Sequence, residues 1–296
     1  MISFEGTEAG YRLALVLALL AAILHAVFGA LQKGRHDPWL TRGAIDFSYG
    51  AIAAPFAFFI VPAPEAHMWP ILAGAFVIHV GYKLMQSWAY TKGAFTVVYP
   101  IARGIGPFFT VIGAYLIFGE TFNGTQWLGI MVLMTGILGL ACYNMFFMTS
   151  GRETLGVAML LAIITGLFVA VYTTYDAYGI RAAADPFTFL AWFFFIDGLF
   201  FPALAFFRWR SMANAPAPWP LMLRGLVGGM VAFGSFGSVM LATRLGKVGE
   251  AAVLRETSTV FAALIGWIFL KETVGPRRLV LMALIVAGAV IVEMGG

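Results

Sequence analysis

The sequence contains few charged residues and a single cysteine, and these shortages limit what the chain can be. Only 11% of its 296 residues are charged, whereas roughly a quarter are charged in an ordinary soluble domain. Cys142 stands alone, which excludes a disulfide or a cysteine-ligated metal site within one chain. The sequence also lacks the motifs of zinc peptidases, serine hydrolases and phosphate-binding loops. We therefore expect no enzymatic activity, no cofactor, no metal and no use of ATP.

Apolar residues fill most of the chain. Hydrophobic residues make up 61% of the sequence, aromatic residues make up 16%, and the mean hydropathy is +0.90. Apolar runs of about 20 residues, each able to cross a hydrocarbon layer ~30 Å thick, explain this composition. Proline, glycine and charged residues separate the runs. Ten spans are predicted, at residues 11–33, 40–61, 68–90, 94–118, 125–147, 155–179, 187–207, 219–242, 249–270 and 276–293.

The chain is an internal duplication. Segment 99–121 matches segment 251–273 without a gap. The matched pairs include Arg103 and Arg255, Phe109 and Phe261, Glu120 and Glu272, and, in earlier spans, the Asp-Pro pairs at 37–38 and 185–186. Each half holds five predicted spans, and an odd number forces the halves to enter the membrane from opposite sides. We predict an all-α integral membrane protein with ten transmembrane helices as two inverted five-helix repeats, 1–150 and 151–296, joined in one membrane domain.

Ionisable residues inside the spans are candidate site residues, because inverted-repeat transporters bind substrates between their repeats. His79, Tyr82 and Lys83 in the third span recur at three- and four-residue spacing and share one helical face. This polar face is predicted to line a central cavity. The alternative is that Lys83 only pairs with a carboxylate, such as Asp46 or Asp176, and holds helices together.

Arg103 and Arg255 are the two charges inside the spans that recur in both halves. Pro100 and Pro107 flank Arg103, and each proline removes one backbone hydrogen-bond donor. We predict a weakened helix around Tyr99 and Arg103, and broken spans are the usual position of a transporter site. The alternative is a proline kink that serves packing, with Arg103 snorkelling or paired.

The sixth and seventh spans combine aromatic and acidic residues. Tyr172, Tyr175 and Asp176 share a face by their spacing, and a carboxylate flanked by aromatic rings binds cations well. An aromatic belt at the membrane interface is the alternative. In the seventh span, Asp197 follows an aromatic run that starts at Trp192. Asp197 must therefore be either protonated or paired.

Glu256 follows Arg255 directly, at the position where the first half has Gly104. Adjacent residues on a helix point about 100° apart, so these two side chains need partners on other helices. Asp197 and Glu256 are the predicted residues for proton or ion coupling. The predicted substrate-binding residues are His79, Tyr82, Lys83, Tyr99, Arg103, Tyr172, Tyr175, Asp176, Trp192 and Arg255.

The order of motifs along the spans carries a family resemblance. The third span ends in Ser87-Trp-Ala-Tyr-Thr-Lys-Gly-Ala, the fourth contains proline and ends in Leu116-Ile-Phe-Gly-Glu120, and the second half repeats this order from Val253 to Glu272. This order resembles the EamA family of the drug/metabolite transporter superfamily. The resemblance implies a bacterial inner-membrane, multi-pass secondary transporter, commonly an exporter of small metabolites, amino acids or drugs. It also implies alternating access around a central cavity. Because the buried cations suit a carboxylate and Asp176 suits an amine, we expect a small polar substrate such as an amino acid, a related zwitterion or an organic ion.

The expected partners are a small-molecule substrate, the lipid bilayer and protons as the coupling ion, with the chain as a monomer or homodimer. Nucleic acid is not expected despite the net charge of +4, because basic residues lie singly at the ends of apolar runs. A flippase of lipids or other amphipaths, or a membrane-embedded protein without transport activity, is the alternative function. Lys and Arg are more numerous in the loops opposite the termini, which predicts termini outside the cytoplasm, whereas the resemblance implies cytoplasmic termini.

Overall fold

The protein is helical throughout the part of the chain that the structure describes. This computed structural model describes residues 4–32, 37–93, 95–147, 153–270 and 275–296, and no strand occurs within these ranges. The helices in these ranges are α1 (Glu8–Gln32), α2 (Pro38–Phe59), α3 (Met68–Lys92), α4 (Phe95–Phe118), α5 (Gly124–Phe146), α6 (Leu155–Ala182), α7 (Pro186–Asp197), α8 (Phe200–Ser211), α9 (Pro218–Leu245), α10 (Val248–Arg255), α11 (Ser258–Leu270) and α12 (Pro276–Met294). The predicted all-α class is confirmed.

Among the described residues, seven helical stretches are long and apolar enough to cross a membrane. They are Glu8–Gly29, Met68–Lys92, Val97–Phe118, Gly124–Phe146, Leu155–Ala182, Pro186–Ser211 and Pro218–Leu245. The chain is therefore a multi-pass membrane protein. The three other predicted spans coincide with α2, with α10 and α11 together, and with α12. Helix α2 is less apolar because it carries Arg42 and Asp46, which pair with each other.

Two of the predicted spans consist of two shorter helices each. Helix α7 ends at Asp197 and α8 begins at Phe200, while α10 ends at Arg255 and α11 begins at Ser258. The fourth span, by contrast, is one continuous helix that includes both of its prolines. The predicted weak point around Arg103 thus does not interrupt α4, because each proline removes a single donor and membrane helices accommodate such a loss.

Hydroxyl groups stabilise the break between α10 and α11. Thr257 Oγ1 donates to the Leu254 carbonyl oxygen at 2.7 Å, and Thr259 Oγ1 donates to the Glu256 carbonyl oxygen at 2.8 Å. Threonine side chains compete with the helical backbone for carbonyl groups of this kind. The run Thr257-Ser258-Thr259 therefore favours a tight turn after Arg255, and Glu256 lies in that turn.

The break between α7 and α8 lies where two backbones approach closely. A Cβ atom on Gly198 would lie 2.8 Å from the Gly50 Cα atom of α2 and 2.8 Å from the Asp46 carbonyl oxygen. No side chain fits in that space, so glycine is required on this side of the contact. The end of α7 is thereby held directly against α2.

Helices of the two predicted halves interleave in one bundle. Helix α1 packs against α9, α3 and α4 pack against α6, and α5 packs against α12. A Cβ atom on Gly288 of α12 would lie 2.6 Å from the Gly129 carbonyl oxygen of α5, so small residues permit the last of these contacts.

The two halves also begin their second spans alike, because Asp37 and Asp185 each accept backbone hydrogen bonds at a helix N-terminus that starts with proline.

Candidate functional site

A group of ionisable side chains is buried between the helices. Its cations are Arg42, Lys83, Arg103 and Arg255, its carboxylates are Asp46, Asp176, Asp197 and Glu256, and His25 and His79 accompany them. None of these residues is more than 6% exposed. The four cations balance the four carboxylates when both histidines are neutral. Buried charges require partners. Most members of the group form two clusters, and His79 contacts the first of them.

The first cluster, here called the lysine cluster, consists of Arg42, Asp46, Tyr49, Lys83 and Asp197. Lys83 Nζ donates to Asp46 Oδ2 at 2.6 Å and to Asp197 Oδ1 at 2.7 Å. It also lies 2.8 Å from the Tyr49 hydroxyl and 3.0 Å from the Asp197 carbonyl oxygen at the end of α7. Since an ammonium group has three protons, these contacts saturate Lys83. The lysine therefore joins α2, α3 and α7.

Two further contacts complete the lysine cluster. Tyr49 donates a hydrogen bond of 2.5 Å to Asp197 Oδ2, and Arg42 Nε forms an ion pair of 2.7 Å with Asp46 Oδ1. Arg42 and Asp46 are one helical turn apart on α2, which is the spacing of a side-chain pair on one face. Each carboxylate of this cluster thus has a partner for both of its oxygens.

His79 on α3 connects the lysine cluster with α6. Its Nε2 atom forms a hydrogen bond of 2.8 Å with Asp176 Oδ2, and its Nδ1 atom lies 3.9 Å from Asp197 Oδ1. The imidazole ring packs against Tyr172, with ring centroids 4.8 Å apart. Tyr82 packs against the same tyrosine, at 4.9 Å. The predicted polar face of α3 therefore does meet the end of the sixth span.

The second cluster, here called the arginine cluster, consists of Arg103, Arg255 and Glu256. Arg103 Nε lies 2.8 Å from Glu256 Oε2, and Arg255 Nε lies 3.7 Å from Glu256 Oε1. One carboxylate thus faces two guanidinium groups from α4 and α10. Glu256 is completely buried. The two arginines that match in the sequence repeat therefore also meet in space.

Tyrosine rings and unpartnered polar atoms surround the arginine cluster. The Arg103 guanidinium lies 6.0 Å from the Tyr99 ring, and the Arg255 guanidinium lies 5.9 Å from the Tyr172 ring. Several buried polar atoms here form no hydrogen bond within the described ranges, and they include Arg103 Nη2, Arg255 Nε, the Tyr172 hydroxyl and Asp176 Oδ1. Unpartnered buried polar groups are costly. This region is therefore suited to a polar ligand that supplies both an acceptor and a donor.

Two predicted site residues lie away from both clusters. The Trp192 ring packs against Trp69 and Phe58, with centroids 5.3 Å and 5.2 Å away. The Tyr175 hydroxyl lies against Gly74, and its ring lies 6.4 Å from that of Tyr178. The structure brings together the other predicted residues: His79, Tyr82, Lys83, Tyr99, Arg103, Tyr172, Asp176, Asp197, Arg255 and Glu256.

Arg42 and Tyr49 were not predicted as site residues. Arg42 lies near the start of its span, where a charge usually reaches the membrane surface, yet it is only 6% exposed. Its pairing with Asp46 has a sequence signal in the four-residue spacing. Tyr49 has a weaker signal, since it occupies the repeat position of Asp197 when Asp37 is matched with Asp185.

A separate group of contacts around Glu120, here called the interlock, lies on the same side of the helix bundle as the chain termini. The Glu120 carboxylate accepts from the backbone N–H groups of Val248 at 2.9 Å and Gly249 at 3.2 Å, at the N-terminus of α10. Arg181 Nη2 donates to the same carboxylate at 3.1 Å and to the Gly246 carbonyl oxygen at 2.8 Å. These bonds join the end of α4 to α6 and to the α9–α10 turn. The repeat partner, Glu272, lies outside the described residues.

Comparisons with known proteins agree with this architecture. Over the described ranges, no group of three or more His, Cys, Asp or Glu side chains could hold a metal ion. One solved protein, titled only as a crystal structure of a protein, matches with a TM-score of 0.76 and 18% identity, over 97% of this chain and 98% of that one, which shows a shared fold. A search of curated proteins gives no match. The model of the EamA-like transporter family matches twice, at residues 12–142 and 156–294. These two matches cover most of the sequence, and the chain therefore belongs to the EamA-like transporter family.

Proposed function

We propose that this protein is a secondary active transporter that moves a small polar metabolite across the cell inner membrane by alternating access. In this proposal α7 with α8 and α10 with α11 are two broken spans, so the chain crosses the membrane ten times. The halves 1–150 and 151–296 are then two inverted five-helix repeats. Membership of the EamA-like family supports transport, and export is the direction that the family resemblance implies.

The arginine cluster is the observation that carries this proposal. Arg103 lies eight residues after the start of α4, and Arg255 lies seven residues after the start of α10. At a rise of 1.5 Å per residue, these positions are about 12 Å and about 10 Å from their helix starts. In an inverted repeat those starts lie on opposite membrane faces. The two guanidinium groups therefore approach the same central point from opposite faces, as expected for a site between repeats.

The donors and acceptors around this point favour a substrate with a carboxylate. Guanidinium groups bind carboxylates through paired hydrogen bonds. Arg103 Nη2 and Arg255 Nε form no hydrogen bond within the described ranges, although Arg255 Nε lies 3.7 Å from Glu256 Oε1. Asp176 Oδ1, which also lacks a partner among the described residues, suits an ammonium group. An amino acid or a related zwitterion satisfies both ends, and an organic anion satisfies one. Lys83 is saturated by its own cluster, so we assign it to holding helices together.

Transport by proteoliposomes tests the proposal. The purified protein is assayed for uptake and exchange of amino acids, organic anions and polyamines. Arg103→Ala and Arg255→Ala are expected to abolish transport of the substrate, because each leaves the carboxylate with one guanidinium group in place of two. Arg12→Ala is the matched control, since the Arg12 side chain is 75% exposed and pairs with exposed Glu8. Full activity in both cluster variants would refute this site.

One observation favours a second candidate, the flipping of lipids or other amphipaths. An apolar groove of about 430 Å³ lies between α2, α8 and α9, lined by residues that include Gly43, Phe47, Pro202, Phe206 and Met222. Such a groove could take an acyl chain from the bilayer. Movement of fluorescent phospholipids between leaflets of the same proteoliposomes, in the absence of any metabolite transport, would favour this function over the first.

A further inference from the structure

Glu256 occupies the place where the proposed substrate would put its carboxylate. Its two oxygens lie 2.8 Å and 3.7 Å from the Nε atoms of Arg103 and Arg255. The first half has Gly104 at the equivalent position, so the repeat supplies two arginines and one acid. Glu256 also lies in the tight turn between α10 and α11 rather than within a helix. A change of side-chain position there disturbs less regular structure than it would inside a helix.

Few other ionisable groups face Glu256 from the helices packed against α10. Helix α4 contributes Arg103 and Tyr99, α6 contributes Tyr172 and Asp176, and α1 contributes His25, whose ring stacks on Tyr99 at 6.4 Å. The Asp176 carboxylate is already bound to His79. Glu256 is therefore the acid that directly neutralises the two arginines.

We propose that Glu256 is an internal carboxylate that holds the two arginines when no substrate is bound, and that an anionic substrate group displaces it while Glu256 takes up one proton. This inference rests on the proposed function. With Glu256 ionised, the arginine cluster carries one net positive charge. With Glu256 protonated and one monovalent anion bound, the net charge is again one positive. The exchange therefore leaves the buried charge unchanged, which is the condition for a small energetic cost in hydrocarbon surroundings.

A definite direction of coupling follows from this arrangement. The anion and the proton occupy the cluster together, so they cross the membrane together. This is cotransport, in contrast to exchange of a proton for the substrate. In an exporter, the outward gradient of the metabolite then drives transport and a proton leaves with each anion.

Binding of methanesulfonate to the purified protein tests the inference. This small anion stays ionised at every pH used, so any effect of pH reports the protein. Isothermal titration in two buffers with different heats of ionisation measures both the affinity and the proton uptake. For the unmodified protein, uptake of one proton per anion is expected. Above the protonation midpoint of Glu256, the affinity of the unmodified protein for methanesulfonate should then fall about tenfold for each pH unit.

Removal of the Glu256 charge should uncouple the anion from the proton. Glu256→Gln is expected to bind methanesulfonate about tenfold more tightly or better at neutral pH, because an internal competitor reduces apparent affinity by the fraction of time that it is absent. Its affinity should not depend on pH, and no proton should be taken up. Glu250→Gln is the matched control on α10, since Glu250 is buried but contacts Lys247 and Gln126 instead of the arginines. This control should keep the proton uptake of the unmodified protein.

A second variant covers the case in which Glu256→Gln does not fold. Arg103→Gln combined with Glu256→Gln removes one charge of each sign, and it is expected to fold and to bind methanesulfonate weakly without proton uptake. Equal pH dependence in the unmodified protein and Glu256→Gln overturns the inference, and so does the absence of methanesulfonate binding in all variants. If metabolite transport is found alongside either result, the transporter assignment stands and only the inference fails. If proton-linked anion binding is found but no transport, the inference stands and the proposed function fails.

Discussion

Replacement of Lys83 by methionine tests whether the lysine cluster holds the bundle together. Methionine keeps most of the length of the side chain and removes its charge. Arg42 and Lys83 balance Asp46 and Asp197, so the variant leaves one uncompensated negative charge in a fully buried site. Removal of one partner of a buried pair costs about 3–5 kcal/mol. Because Lys83 contacts both carboxylates at 2.7 Å or less, we expect the upper part of that range.

A second substitution should recover most of that loss. Asp197→Asn, combined with Lys83→Met, restores a balanced cluster in which Arg42 still pairs with Asp46. Replacing a buried ion pair by neutral groups of similar volume is often nearly neutral, whereas breaking it is not. The double variant is therefore expected to be more stable than Lys83→Met alone, although it contains one more substitution.

Thermal unfolding in detergent, followed by tryptophan fluorescence, measures these effects. The melting temperature of Lys83→Met should fall on the order of 10 °C. Lys92→Met is the matched control, because Lys92 is exposed at the end of the same helix; its stability should change by less than about 0.5 kcal/mol. A normal melting temperature for Lys83→Met, or a lower one after addition of Asp197→Asn, would refute the ion-pair reasoning.

Two further substitutions test the contacts that position the helices. Gly198→Ala should destabilise the protein by about 1–3 kcal/mol in the same unfolding assay, because the new Cβ would lie 2.8 Å from backbone atoms of α2; Gly124→Ala, with no atom within 4 Å, should not destabilise it. Glu120→Gln should cost about 1–3 kcal/mol by weakening the bonds to Arg181 and α10. Its control is Glu65→Gln at a side chain that is 52% exposed, and equal effects of the two would contradict the interlock.

Many residues of the two buried clusters could be predicted from the sequence, because a charged side chain inside an apolar run is unstable in contact with lipid. Each such residue must find a partner within the bundle. That reasoning identified His79, Lys83, Asp176 and Asp197, and the repeat added Arg103 with Arg255. Trp192 shows its limit: an aromatic side chain is stable both in a cavity and against other rings near the lipid, so its type does not specify its position.

The helix breaks could not be located in the same way. Proline is the strongest local signal, yet α4 continues through two prolines. The breaks instead follow Asp197 and Arg255, where side-chain hydrogen bonds compensate for lost helical bonds. Lys83 binds the Asp197 carbonyl oxygen, and threonine hydroxyls bind the Leu254 and Glu256 carbonyl oxygens. The Lys83 contact depends on a residue distant in sequence, which the local pattern does not reveal. The run Thr257-Ser258-Thr259 is a local signal, but a weaker one than the prolines of α4.

Three buried acid–base contacts between the proposed halves share one polarity. His79, Lys83 and Arg103 lie in the first half, and their partners Asp176, Asp197 and Glu256 lie in the second, at distances of 2.7–2.8 Å. Two of these three acids lie next to a helix break, whereas the basic residues lie on continuous helices. Any movement that separates the halves at this depth must break such pairs. Each acid left alone must gain a proton, and each base must gain an anion, or the charge stays uncompensated in hydrocarbon. Rearrangement of the empty, ionised protein is therefore costly, and this cost couples the movement of the halves to the binding of substrate and proton.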